Sequence, residues 1–227
     1  LMGLFRLNVQ LDPRQRYDST LLKQLTPRAI LYVADYERKK RLAFAEEAWN
    51  QLLINYPTDD ATIVAFMRLA DVTAEKADLA GALNYLEQIV TQFPGSPKIP
   101  VVMLRQGELL SEMGRASEAR EKYQYILRVP EWRGILHARA LYQIGESYMA
   151  EDAYAKAHGF YERTFLGYPH LAEWSARAYL ADAKALIGMG EKQDAINTLN
   201  EAVAEISAIA PTDVMKSIKD KLKELQG

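Results

Sequence analysis

Three histidines, His137, His158 and His170, are the residues of this chain best suited to hold a metal or pass a proton, and they are spread over 34 positions. A zinc-binding helix would set two of them four residues apart with a glutamate beside the first, so that both imidazoles share one face. No such spacing is present, and all three read as surface or turn histidines. The carboxylate pairs Glu46-Glu47, Asp59-Asp60 and Glu151-Asp152 could divide acid and base roles between them. That work needs one carboxyl shifted toward neutral pH, whereas these pairs read as helix starts, where negative charge complements the helix dipole. Gly188-Met189-Gly190 has the glycines of a phosphate loop but is followed by Glu191 and preceded by no strand. It reads as a turn between helices. The run Arg38-Lys39-Lys40-Arg41 could meet the phosphates of RNA or lipid, yet no basic stripe continues elsewhere, and it reads as a solvated turn. The chain has no cysteine, which excludes thiolate nucleophiles, disulfides and Cys-ligated metal sites. No catalytic set, metal site or cofactor is expected.

Composition points the same way. The 227 residues are about half apolar and a quarter charged, the profile of a chain that folds and buries a core. With 28 basic against 30 acidic residues, no global charge draws it to nucleic acid or an anionic membrane, and no nucleic-acid partner is expected. No apolar run approaches the roughly 20 residues of a membrane span. The opening LMGLFRLNVQ lacks the basic start, apolar core and cleavage site of a signal peptide. A start at Leu1 leads us to expect more chain upstream.

The elements that would position any functional group are visible in Leu141 to Pro169. Leu141, Ile144, Gly145 and Tyr148 fall at i, i+3, i+4 and i+7 on one helix face. Ala157, Tyr161 and Thr164 line a second helix, with Asp152 as its expected cap and Pro169 as its stop. Gly145 and Ala157 are small on otherwise bulky faces, as close approach of two backbones would require. The pattern recurs. A first copy carries Ala29, Tyr32, Val33 and Tyr36, then Ala45, Trp49 and Leu52, with no glycine in its small slot. Phe66, Leu69, Ala70 and Thr73 open a second, and Met103, Gln106, Gly107 and Leu110 a third. A fifth has Tyr179, Ala183 and Leu186, weakened by Asp182 in an aliphatic slot. The alanine slots Ala45, Ala82, Ala119, Ala157 and Ala195 stand 37, 37, 38 and 38 residues apart. Most aromatics, Tyr32, Tyr36, Trp49, Tyr123, Tyr148, Tyr161 and Tyr179 among them, occupy packing slots and are expected in the core. Trp132 and Trp174 follow the Pro130 and Pro169 stops, and are open either to packing or to serving as exposed anchors.

The spacing L-x2-I-G-x2-Y-x8-A-x3-Y-x7-P of the fourth copy resembles the tetratricopeptide repeat. The repeats here exceed that family's usual 34 residues, which longer helices would explain. The closing phrases INYPTDDA, TQFPGSPK and LGYPHLAE further resemble tetratricopeptide proteins of bacterial cell envelopes. The resemblance implies an all-α fold, a right-handed α-α superhelix of about five helix pairs. Repeats are expected near 26–59, 63–96, 100–133, 138–171 and 176–210, and a capping helix over 211–227. Residues 1–25 would be the remnant of a preceding repeat or an N-terminal segment.

It further implies a protein–protein interaction scaffold that binds a peptide or helix in its concave groove. Carried onto this sequence, the groove positions are Met67, Asp71, Leu104, Glu108, Tyr142, Glu146, Leu180 and Lys184, bordered by Arg68, Arg105, Arg139 and Arg177. Members that clamp a chaperone's C-terminal carboxylate use lysines and asparagines there. Met67, Leu104 and Tyr142 depart from that pattern and favour apolar anchors, with arginines pairing acidic groups. The alternatives are the docking arm of an enzyme or receptor whose active domain lies upstream and, further off, a nucleic-acid binder. A periplasmic or cell-envelope location in a membrane-associated complex goes with the second resemblance; the cytoplasm is the alternative.

Overall fold

A computed structural model describes residues 22–227, so all but the last four residues of the segment expected over 1–25 lie outside the described residues. Among these, eleven α-helices and one 3-10 turn follow one another with no strand. They are α1 (Pro27–Glu37), α2 (Leu42–Asn55), α3 (Asp60–Glu75), α4 (Leu79–Gln92), α5 (Ile99–Glu112), α6 (Ala116–Arg128), α7 (Ile135–Met149), α8 (Tyr154–Gly167), α9 (Ala172–Met189), α10 (Lys192–Ile206) and α11 (Thr212–Gln226). The fold is therefore an all-α solenoid of five helix pairs and a final single helix. The described residues divide into two compact units, one ending at residue 102 and the other spanning 103–227, with the division inside α5.

In the first unit α1 packs on α2, α2 on α3 and α3 on α4, and the first helices α1 and α3 also touch. Its core holds Ile30, Ala34, Ala45, Trp49 and Leu52 together with Leu22 and Leu25. The second unit repeats the arrangement from α6 to α11, with α7 against α9 and α9 against α11. The final helix buries Val214, Met215, Ile218 and Leu225 and keeps Lys216, Lys219 and Lys223 in water. Repeat length is explained by the first helices. The α3 helix begins at Asp60, well ahead of its packing residue Phe66, and α9 begins at Ala172, well ahead of Tyr179. Each thus carries an added turn before the helix-pair core.

All five alanine slots are fully buried, and each is the fourth residue of its helix. Five residues before the slot, the last four turns place a left-handed residue: Ala77 (φ 64°), Gly114 (φ 74°), Asp152 (φ 54°) and Gly190 (φ 84°). In each, the following amide bonds back five residues to close the helix, as Arg115 N does to the Leu110 carbonyl at 2.8 Å and Glu191 N to that of Leu186 at 2.9 Å. The first turn has no such residue. Arg41 N bonds to the Glu37 carbonyl instead, 2.7 Å away, and the register of α1 shifts by one. Ala29, Ile30, Ala34 and Glu37 are its buried residues, and Ala34 fills the small slot read as missing. Tyr32 and Tyr36, expected in the core, are turned out to water at 53% and 52% exposure.

Candidate functional site

Gly145 lies on α7 where the ring of Tyr161, from α8, comes against the backbone. A Cβ there would fall 2.5 Å from the ring. One pair earlier, Gly107 on α5 and Tyr123 on α6 repeat the arrangement. Tyr161 is wholly buried, yet its hydroxyl crosses the pair and donates to Glu146 Oε1 at 2.6 Å. Burial first, and then the Glu146 charge, push the Tyr161 phenol far above its ordinary value. The phenol of Tyr142 is raised by the same causes in the same order. Glu146 is thereby held from behind by the packed core.

Around it an aromatic and cationic cluster forms on the face shared by the first helices. Tyr142 stands 5.7 Å from Tyr161 and meets Trp174 of α9 edge-on at 5.7 Å. The guanidinium groups of Arg139 and Arg177 lie 5.4 and 5.6 Å from the Trp174 ring, within cation–π range. Beside the cluster opens a pocket of about 290 Å³. Tyr142 and Glu146 line it from α7, Arg177, Leu180 and Lys184 from α9, and Asp213 and Ser217 from α11. Four of the expected groove residues, Tyr142, Glu146, Leu180 and Lys184, thus meet in one place.

The others are distributed differently. Glu108 accepts from Arg139 at 2.8 Å and from Arg105 at 3.3 Å, and Arg105 also reaches Glu112 at 3.5 Å. This network is partly exposed, so its contribution to stability is small, about 0–1 kcal/mol per pair. Leu104, expected to face the groove, is 1% exposed, on a helix buried around most of its circumference through Val102, Gln106, Gly107, Leu109 and Leu110. Met67 and Asp71 are half-buried on α3 in the first unit, where Arg68 pairs with Asp35 at 3.0 Å. Sequence reasoning left Trp174 undecided and passed over Asp213 and Ser217, because it took the last helix as a cover and not as a third wall.

Several expected surface groups are also placed otherwise. His158 Nδ1 lies 2.6 Å from Asp182 Oδ1, tying α8 to α9. Asp182 is 1% exposed, and its carboxyl is pushed up to about 6 by burial, opposed by the hydrogen bond and charge of His158. It is a buried polar contact between helices and not a weakened aliphatic slot. His137 is buried, with Nε2 3.1 Å from the Val129 carbonyl; His170 alone of the three is exposed in a turn. Among the described residues no three His, Asp or Glu side chains gather as metal ligands. Glu46 and Glu47 lie beyond the first turn of α2, and Glu46 pairs with Lys76. Asp59 does cap α3, accepting from Ala61 N at 2.8 Å. Ala153, not Asp152, occupies the cap position of α8; Asp152 accepts from the Tyr154 hydroxyl. Gly188 is still helical and receives the Tyr154 ring, so Gly190 alone makes the turn. In the basic turn, Arg38 is paired with Glu75 at 2.6 Å. Trp132 is half-buried against Tyr125, 5.9 Å between rings. No helix among the described residues is long and apolar enough to cross a membrane.

Comparison with known proteins gives a match to the model of a tetratricopeptide repeat-like domain over residues 15–130. No curated protein sequence matches the chain. Among solved structures, MamA is 19% identical, covers 79% of this chain and 91% of its own, and superposes with a TM-score of 0.62. PilW, a type IV pilus biogenesis factor, is 15% identical over 88% of this chain and 90% of its own, with a TM-score of 0.62. The C-terminal part of a TPR repeat-containing protein from Cytophaga hutchinsonii is 17% identical over 86% and 78%, also at 0.62. At these identities the likeness is one of fold.

Proposed function

The chain belongs to the tetratricopeptide repeat-like domain family, and on that premise we propose that it is a non-enzymatic scaffold holding a peptide or helix of a protein partner. Its family and fold are those of protein-interaction scaffolds in general. The surface we assign to the partner is the first-helix face around Tyr142, Glu146, Leu180 and Lys184. One observation carries the choice: Glu146 is fixed by a buried tyrosine hydroxyl at the mouth of a pocket beside half-exposed Trp174. A pre-positioned acid beside rigid aromatic rings loses little freedom when a partner docks, which is how a small patch gains affinity. Arg105, Glu108 and Arg139 extend the face with charges that a partner can re-pair. A cell-envelope assembly is the setting we favour, on the closing phrases after the first, second and fourth pairs of helices.

The test is site-specific crosslinking. A photoreactive residue at Leu180 or Lys184 should trap one defined protein in cells, whereas the same probe at Lys156 on α8 should trap none. Tyr142→Ala combined with Leu180→Ala should weaken binding of the trapped protein at least tenfold. Equal trapping at both positions, or unchanged affinity of the double variant, would mean that another surface holds the partner.

A further inference from the structure

A second surface, sharing no lining residue with the Tyr142 pocket, lies where the ends of the second helices α8 and α10 come together. A cavity of about 400 Å³ opens there. Phe165 and Tyr179, stacked at 4.0 Å, and Ile206 line its buried side. Its mouth is flanked by Leu166 and Ile209, which are 63% and 59% exposed, among the most exposed large aliphatic side chains described. Nothing in the fold requires two large aliphatics to face water at one opening, and such a patch marks an interaction site more often than chance.

The rim is acidic. Glu201 and Glu205 both line the cavity, four residues apart on α10, a like-charge spacing that weakens a helix. The Tyr179 hydroxyl donates to Glu201 at 3.1 Å, but neither glutamate has a cationic partner among the described residues. No lysine or arginine lines the cavity; His170 is its one basic side chain. Across Leu166 the balance of charge changes, because the neighbouring cavity of about 570 Å³ is lined by Arg133 and Arg163 against a single carboxylate, Glu162. A basic segment would be drawn to the α10 side, where carboxylates alone carry charge beside His170, in preference to the other.

We propose that this α8–α10 surface docks a partner protein through an amphipathic segment whose large apolar side chain enters between Leu166 and Ile209, with lysine or arginine beside it over Glu201 and Glu205. Apolar complementarity supplies the anchor, and the unneutralised carboxylates select the sign of the flanking charge. The inference is independent of the first-helix face, and both surfaces can be occupied together.

The probe is a pair of fluorescein-labelled synthetic peptides with leucines at the same positions of an amphipathic helix, one with lysine and one with glutamate elsewhere, titrated against the whole chain by anisotropy. The lysine peptide should bind at least tenfold more tightly than the glutamate peptide. Glu201→Lys with Glu205→Lys should reverse that preference, and the Gln pair should abolish it. Leu166→Ser with Ile209→Ser should weaken the lysine peptide about tenfold with an unchanged circular-dichroism melting curve. Tyr142→Ala should leave its affinity unaltered. Equal binding of the two peptides, indifference to the Glu201 and Glu205 variants, or loss of binding in Tyr142→Ala would each overturn the proposal. So would concentration-dependent dimerisation of the chain alone that Leu166→Ser with Ile209→Ser dissolves, since the occupant would then be a second copy.

Discussion

Replacing Gly145 with alanine adds one methyl group at the tightest point between α7 and α8. The new Cβ would lie 2.5, 2.8 and 2.9 Å from three atoms of the Tyr161 ring, and ordinary contact needs close to 1 Å more. The ring has nowhere to go: Tyr161 is wholly buried and its hydroxyl is tied to Glu146 at 2.6 Å. Overpacking of this kind costs about 1–3 kcal/mol, and displacing the hydroxyl from a carboxylate about 1.5–3 kcal/mol more. Against that, alanine is the better helix former by about 1 kcal/mol, leaving a net loss of about 1.5–5 kcal/mol. Gly159 supplies the control. It is also inside a helix, α8, but a Cβ there would meet nothing within 4 Å, so Gly159→Ala should stabilise by up to about 1 kcal/mol. Urea unfolding followed by circular dichroism measures both. The same substitution should move the midpoint in opposite directions, and Tyr161→Leu in the Gly145→Ala background should recover part of the loss. If Gly145→Ala raised the midpoint as Gly159→Ala does, the account of tyrosine packed on glycine would be wrong.

Ala77→Gly should raise stability by about 1 kcal/mol, because φ of 64° strains any residue bearing a Cβ; a lower melting temperature would place Ala77 outside the left-handed region. Ala157→Leu should cost about 1–3 kcal/mol as overpacking, since the alanine has no exposed surface; an unchanged melting temperature would contradict its slot. Asp182→Asn tests the buried carboxyl through pH. Its folded-state value is raised to about 6 from 3.8, so the folded chain holds this proton where the unfolded chain has released it. The stability it contributes is complete below about pH 4 and lost as pH rises to about 6. Unfolding across that window should show wild type losing stability relative to Asp182→Asn as pH increases, and a constant difference would refute the raised value.

Much of the packing was legible because it obeys helical period. Ala45, Ala82, Ala119, Ala157 and Ala195 could be read directly, and the close-approach role of Gly145 follows from one small residue on a bulky face. The misreadings arose where conformation or a distant neighbour decides. The α1 register depends on whether residue 40 is left-handed, and lysine gives no local sign of that. Asp182 looked like a blemish because its partner, His158, is 24 residues away on another helix. The burial of Leu104 was not legible, because one groove rule was carried to every first helix although α5 is buried nearly all round. The Tyr142, Glu146, Leu180 and Lys184 cluster was reachable because adjacent repeats bring equivalent positions together. Trp174 was not, since its surroundings come from two successive pairs, Tyr142 and Arg139 on α7 and Arg177 on α9.

The left-handed residue five places before each of the last four slot alanines has a consequence for recombination. In the last four pairs it fixes the same count of residues between the small slot and the alanine slot, so those turns are exchangeable parts. The turn at Gly190 could stand in for that at Ala77 without altering which side chains face inward. The first turn is not interchangeable with them. Grafted onto a later pair, it would remove one residue from the count and rotate the preceding helix by about 100° relative to its mate. In α1 the same offset already puts Tyr32 and Tyr36 in water. Shuffling modules of this chain should therefore respect a boundary after the first pair, although the alanine spacing runs through it almost without interruption.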